Sequence, residues 1–530
     1  MPALTNLKPL PDSRPGVATK LRPSSQRLGF DWIAVAAVLA VVSWFAVRWV
    51  SSHGYTLYYG DAEAHLNTAR RIFDSRTPGY DQIGSPWLPI PHLLMLPFIG
   101  DDSLWRSGMA GAIPSAVCFA IAGVLFYLTG RMVFASRAAA FTGVALFGLN
   151  PNVLYLQSIP MTECALFASL CGILCCTVWF RRSQSLWAVA ATALCSIVAS
   201  LSRYEGWFLI PFVALYFLIA GRRNRLSAAF LFGLIASLGP LYWLAHNLYS
   251  CGDLWSFYKG PFSAKAIYER ALKAGMGRYP GDHDWGTAIL YYATAARLGA
   301  GTPLTFMGVA GVIAALFKRA WWPLALLSLP CVFYILSMYS SGTPIFIPGL
   351  WPNSYYNTRY GLVAVLLFAF GASAIVATVP PWLRGFAALA VIATAVSPWV
   401  MNPSPEAWIC WKESEINSIA RREWTHRAAQ FLKANYHAGE GVFTSFGDLT
   451  GIFREAGIPL RETLHDGNNP QWLISAEHPS KFLQEEWAVA LSGDSVATAV
   501  QRATRTGPHY RLVETVAVKD APVIEIYKRD

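Results

Sequence analysis

The chain of 530 residues is 54% hydrophobic and only 14% charged, with a mean hydropathy of +0.36, far from the roughly 25% charged content of an ordinary soluble domain. That composition excludes a soluble enzyme and reads as a polytopic membrane protein. The 42 Lys and Arg against 31 Asp and Glu leave a net charge of +11, and in a membrane chain such an excess is topology before it is a nucleic-acid surface, so no nucleic-acid partner is implied.

Residues 1–30 form a tail carrying Lys8, Arg14, Lys20, Arg22 and Arg27 but no apolar core, so the run that follows reads as an uncleaved first span and not as a signal peptide. Taking about 20 mostly apolar residues per span, about eleven candidates follow within 31–400: 31–50, 108–130, 138–156, 164–180, 186–201, 207–221, 227–248, 302–317, 321–338, 361–379 and 384–400. The short loops holding Arg131/Arg137, Arg181/Arg182, Arg222/Arg223/Arg225, Lys318/Arg319 and Arg384 share the tail's side when spans alternate, which makes that side cytoplasmic. The segments 51–107, 157–163, 202–206, 249–301 and 339–360 then lie together on the outer side. From Met401 the composition turns charged, and residues 401–530 read as a small soluble α/β domain on that outer face. Within it Ser414 to Asn435 and Asp494 to Thr506 have helical periodicity, while 442–446, 486–491, YRLVETVAV and PVIEIYKR read as strands. Cysteines such as Cys118, Cys164, Cys171, Cys175, Cys176 and Cys195 lie in apolar runs without metal-ligand partners, as small buried side chains do.

The stretch YYGDAEAHLNTARRIFDSRTPGYDQIGSPWLPIP, from Tyr58, puts acids and arginines directly after the first span. A carboxylate at a lipid boundary costs free energy unless it lines a wet cavity or does chemistry. Ala62, Leu66, Ala69 and Phe73 recur at helical spacing, with His65, Asn67, Arg70 and Arg71 on polar faces, which predicts an amphipathic helix along the interface. Asp61 has the position of a general base for an acceptor hydroxyl; on local sequence alone it is equally an N-cap and Glu63 a solvated neighbour. Glu163, on the short MTE turn, either caps the next helix or faces Asp61 and positions substrate. Arg203, Tyr204 and Glu205 form a third outer turn, in which the arginine pairs with an acid or takes a phosphate. Arg359 and Tyr360 in NTRYGL repeat that theme, and His65 and Arg70 add donors near Asp61. Asp61, Glu63 and Glu163 are the ligands available to Mg²⁺ or Mn²⁺, without diagnostic spacing. The charged loop around Lys259 to Asp284 reads as a surface helix. Phosphate-binding glycine loops, HExxH, paired CxxC and G-x-S-x-G are absent from the sequence.

This layout resembles the GT-C superfamily of integral membrane glycosyltransferases, the group of protein O-mannosyltransferases, lipid A aminoarabinose transferases and oligosaccharyltransferases. The likeness rests on GDAEAH after the first span, the PGYDQIGSPWLPIPHLL run, the acid of MTE, SRYEG, NTRYGL before a late span and a C-terminal soluble domain, with WICWKES at 408–414 at most a distant echo of the oligosaccharyltransferase pattern. The resemblance implies an α-helical polytopic GT-C-like fold and a polyprenyl-phosphate-linked sugar donor at the membrane lipid surface of a bacterial inner membrane. It implies transfer to a glycan, lipid or protein hydroxyl with Asp61 as base, Glu163 as supporting acid, and Arg203 and Arg359 on the lipid phosphate. A single direct displacement implies inversion. The competing readings are a transporter or flippase for a lipid-linked or anionic solute, which also needs intramembrane charge, and a non-enzymatic scaffold.

Overall fold

The computed structural model describes residues 29–261 and 263–530, so the basic residues of the tail lie outside the described residues. Among the described residues seven helices are long and apolar enough to cross a membrane, or eight if the bent pair Trp285–Ala300 and Thr302–Phe317 is one span. All eleven predicted runs fall in helices. Three of the helices are short: Arg137–Gly148 has 12 residues, Leu186–Ser200 has 15 and Glu205–Ala220 has 16, about 18 to 24 Å at 1.5 Å per residue. The predicted run 138–156 is broken because Asn150 caps a new helix, Pro151–Leu156, accepting from the amides of Asn152 (3.0 Å) and Val153 (3.2 Å). The amides of Asn150 and Asn152 then donate to the Gly299 carbonyl at 2.9 and 3.1 Å. That carbonyl is freed where the bent pair turns through 112°, about Gly301 with φ of +84°, so two asparagines satisfy a buried backbone acceptor.

Two ends of the bundle are distinguished by their charge. At one end Asp31 accepts from Tyr127 (2.6 Å) and pairs with Arg131 (3.3 Å) and Arg137 (3.2 Å), and Gln184 accepts from the Arg222 amide at 2.9 Å. Arg182 donates to the Met132 carbonyl, so the loops holding Arg131/Arg137, Arg181/Arg182 and Arg222 share an end. At the other end lie the first loop, the MTE and SRYEG turns, the NTRYGL segment and the C-terminal domain.

That domain is built on the long helix Ile409–Asn435 and a five-stranded sheet ordered β2-β1-β3-β5-β4, with β1 Val442–Thr444, β2 Thr463–Leu464, β3 Trp487–Leu491, β4 Tyr510–Val516 and β5 Ile524–Arg529. β1 runs parallel to β2 and β3, and β5 is antiparallel to β3 and β4. Its core is shared. Leu66, Met95, Ile99 and Trp105 of the first loop pack in one cluster with Trp424, Leu432, Ile452 and Phe453. The predicted interfacial helix is Gly60–Arg71, and there the reading needs correction, because its polar face is sealed as well: Glu63, His65, Asn67, Arg70 and Arg71 are all buried. The C-terminal domain covers that face with matching polar groups, as in the 2.9 Å bond from Asn67 to Thr450.

Within the bundle, Thr302–Phe317 crosses Val363–Thr378 backbone to backbone. A Cβ on Gly311 would lie 2.1 Å from the Gly371 carbonyl oxygen, and one on Gly371 2.3 Å from that of Gly308. Small residues at a crossing let helices approach closely where no hydrophobic effect drives them together. Gly311→Ala is expected to lower stability by about 1–3 kcal/mol through overpacking, read as the thermal midpoint in detergent. Gly233→Ala, in a helix with nothing within 4 Å of the added carbon, is expected to leave that midpoint unchanged or raise it.

Candidate active site

Arg359 sits where the late-span segment Thr358–Leu362 meets the first loop and the C-terminal domain. Each of its three guanidinium nitrogens meets a different carboxylate: Nη2 pairs with Asp61 at 2.5 Å, Nε with Glu163 at 3.2 Å and Nη1 with Glu413 at 3.3 Å. Arg203 lies beside it. Its Nη1 donates to Thr162 (2.6 Å) and Glu163 (3.2 Å), its Nε to Glu205 (2.7 Å) and its Nη2 to Tyr334 (2.8 Å). Tyr334 in turn donates to Glu205. Tyr360 stacks on Tyr334 with centroids 4.6 Å apart and lies 5.1 Å from both guanidinium carbons, so its ring face meets two cations.

Within this network Asp61 is the accessible carboxylate. Its side chain is 45% exposed, whereas those of Glu163, Glu205 and Glu413 are at most 3% exposed. The Gly60–Arg71 helix is capped by Tyr59 and not by Asp61, so the carboxylate is free to face Arg359. Only one oxygen of Glu163 is engaged by the two arginines; the other is buried without a partner. Counting these six groups as ionised, four carboxylates face two guanidiniums, a formal charge of −2.

His65 lies on the same helix, one turn on from Asp61. Its ring packs against Trp87, with centroids 4.2 Å apart and planes tilted by 44°, and bonds through Nδ1 to Nε2 of His92 at 3.0 Å, and His92 Nδ1 reaches the Leu88 carbonyl at 3.1 Å. A carbonyl only accepts, so His92 donates to it and accepts from His65, leaving a lone pair on His65 Nε2. Burial, then the positive charges of Arg359 and Arg203, hold His65 down to about 3. It is therefore neutral at physiological pH.

Two of the predicted residues are directed elsewhere. Glu63 turns into the C-terminal domain, pairing with Arg421 at 2.5 Å and Arg454 at 2.7 Å; burial pushes its carboxyl up, but the two arginines outweigh it and hold it below the usual range. Arg70 is tied to Asp74 (2.9 Å), Asp102 (2.6 Å) and the Ile99 carbonyl (2.8 Å). Tyr204 donates to the Pro86 carbonyl at 3.1 Å and stacks on Phe257, joining the SRYEG turn to the first loop. The structure thus gathers Asp61, Glu163, Arg203, Glu205, Arg359 and Tyr360, with His65 adjacent, and sets Glu63 and Arg70 apart.

Among the described residues no group of three metal-ligating side chains is poised for an ion. Both oxygens of Glu63 belong to arginines, which removes it from such a set. Asp61 and Glu163 each keep one oxygen free of arginine, the pair a hard cation takes together with a substrate phosphate and water.

Sequence reasoning missed Glu413. It comes from the WICWKES segment and accepts from the amides of Asn357 (2.9 Å) and Thr358 (2.7 Å) and from the Thr358 hydroxyl as well as from Arg359. An acid at the start of the domain's first helix, flanked by Trp408 and Trp411, was the available signal.

No protein-family profile matches the chain, and no curated protein matches it in sequence. Solved structures do. The oligosaccharyltransferase of Archaeoglobus fulgidus, in its apo form, superposes with a TM-score of 0.50 at 13% identity, covering 87% of this chain and 69% of that one. ArnT from Cupriavidus metallidurans, in its apo state, gives a TM-score of 0.52 at 14% identity, covering 94% of this chain and 98% of that one. The chain therefore shares its fold with both of these membrane proteins.

Glu413→Ala strands two buried amides and one nitrogen of Arg359, and is expected to destabilise the protein by about 3–5 kcal/mol. Glu413→Gln keeps an acceptor and is expected to lose less, about 1–3 kcal/mol. Unfolding midpoints in detergent check the order.

Proposed function

We propose that this protein is a membrane glycosyltransferase that moves a sugar from a polyprenyl-phosphate-linked donor to an acceptor hydroxyl, with inversion, and that Asp61 is the general base. The observation that carries this reading is the placement of one exposed carboxylate, Asp61, on a guanidinium held from behind by two buried ones. The shared fold with an oligosaccharyltransferase supports the reaction class.

The chemistry follows from the ion pairs. A donor phosphate arriving at the mouth competes with Asp61 for Nη2 of Arg359, since a phosphate is a charge-assisted acceptor of the same kind. Exchange releases Asp61 as it is needed. Freed of its guanidinium, that exposed carboxylate has both oxygens open to take the acceptor hydroxyl's proton. As the hydroxyl oxygen bonds to the anomeric carbon, the bond to phosphate breaks on the opposite face, and Arg359 and Arg203 stabilise the departing phosphate's charge. Glu163 holds both guanidiniums in one orientation, and neutral His65 offers an acceptor without adding charge. Asp61 and Glu163 are the residues that would hold a divalent cation, which when bound would neutralise further phosphate charge. Under this reading the acceptor is a glycan, lipid or protein hydroxyl on the extracytoplasmic face, and the basic end of the bundle faces the cytoplasm.

The reading is tested with purified protein and a panel of polyprenyl-phosphate sugars, following release of polyprenyl phosphate in the presence of envelope acceptors. Asp61→Asn is expected to cut release by about 10²–10⁴-fold while donor still binds, and Arg359→Gln to weaken donor binding itself. Equal release by wild type and Asp61→Asn would remove the base role from Asp61.

A further inference from the structure

Arg70 and Arg71 are neighbours at the end of one helix, and their guanidiniums are held in opposite ways. Arg70 has a protein partner on every nitrogen. Arg71 is equally buried, at 9% exposed, yet it donates only through Nε, to the Gln82 carbonyl. Among the described residues its terminal nitrogens have no acceptor and no carboxylate within ion-pair distance. Asp466 acts on it from further off and is engaged by the Phe446 amide at 2.8 Å.

The surroundings are arranged to leave those nitrogens open. The guanidinium lies over the Phe446 ring, 4.1 Å from its centroid. On either side is a glycine: a Cβ on Gly84 would come 3.4 Å from Nη2, and one on Gly467 would come 3.0 Å from Nη1. His465 stands beside them, 5.0 Å from Phe446 by ring centroid. Its Nδ1 accepts from the Gly467 amide at 3.0 Å, so Nε2 carries the proton, and that buried N–H has no partner. Gln82 Oε1 is buried and unpartnered too, an acceptor suited to a ligand hydroxyl. A buried cation, an orphan donor and an orphan acceptor gathered around Gly467, whose carbonyl accepts from Gln82 Nε2 at 2.9 Å, describe an unfilled polar site, because such groups are costly to leave unpaired. Burial also holds the Arg71 guanidinium down to about 10.

We infer that Arg71, with His465 and Gln82, forms a binding site for a phosphate-type oxyanion, separate from the Arg203 and Arg359 centre. Ten helical residues set it about 15 Å along the axis from Asp61, on the first-loop side that meets the C-terminal domain. If the transferase reading holds, the group it takes is a phosphate on an extended acceptor whose hydroxyl reaches Asp61. The site itself does not depend on that reading.

Phenylglyoxal labelling of the full-length wild-type protein, mapped by mass spectrometry, tests the site without any turnover. The reagent attacks neutral guanidine with free terminal nitrogens, so in phosphatidylcholine nanodiscs Arg71 is expected to be labelled and Arg70 spared. Inorganic phosphate at millimolar concentration is expected to protect Arg71 at least fivefold while exposed Arg223 is labelled as before. Protection by phosphatidylglycerol nanodiscs alone would assign the oxyanion to a lipid headgroup; protection by soluble phosphate in phosphatidylcholine assigns it to an aqueous ligand. Arg71 unlabelled while Arg223 reacts, or labelled equally under all three conditions, would overturn the site.

Discussion

The Arg359 guanidinium joins three parts of the chain that are far apart in sequence: Asp61 of the first loop, Glu163 of the MTE turn and Glu413 of the C-terminal domain. Planarity explains the choice of residue. An arginine presents five donors in a rigid fork, so it can hold several carboxylates in fixed relative positions, which a lysine's point charge cannot. Desolvating such a cluster is expensive, and it persists because each carboxylate is anchored again elsewhere: Glu163 by Arg203, Glu413 by two backbone amides. Asp61 alone has no second anchor, and it alone is exposed.

The C-terminal domain is therefore part of the site. Glu413 fixes the NTRYGL segment from one direction, and Arg421 and Arg454 fix Glu63, two residues from Asp61, from another. The shared apolar cluster of first loop and domain locks the helix carrying Asp61 between bundle and sheet. A helix that local sequence would lay on a membrane surface becomes a buried strut with one exposed acid at its start.

Much of this was legible in the sequence. Apolar runs mark their helices because a span must satisfy its backbone internally, and an acid or arginine at a span boundary signals a partner; Asp61, Glu163, Arg203 and Arg359 were found that way and lie together. What each was paired with was not legible. Glu63 and Arg70 carry the same local signal as Asp61 and Arg203, but the packing of the C-terminal domain sends Glu63 to Arg421 and Arg454, and the folding of the first loop on itself sends Arg70 to Asp74 and Asp102. Glu413 sits in a helix rich in charge, where a buried acid and a solvated one look alike. The break at Asn150 depended on a carbonyl at Gly299, which no local pattern reports.

The central claim is that Arg359 exchanges Asp61 for the donor's phosphate. A structure of the protein with a non-transferable polyprenyl-phosphonate sugar in nanodiscs tests it most directly. The expected result has Arg359 bonded to the phosphonate, still held by Glu163 and Glu413, and Asp61 turned free toward the anomeric carbon. A phosphonate seated elsewhere, with the Arg359 to Asp61 pair intact, would contradict it.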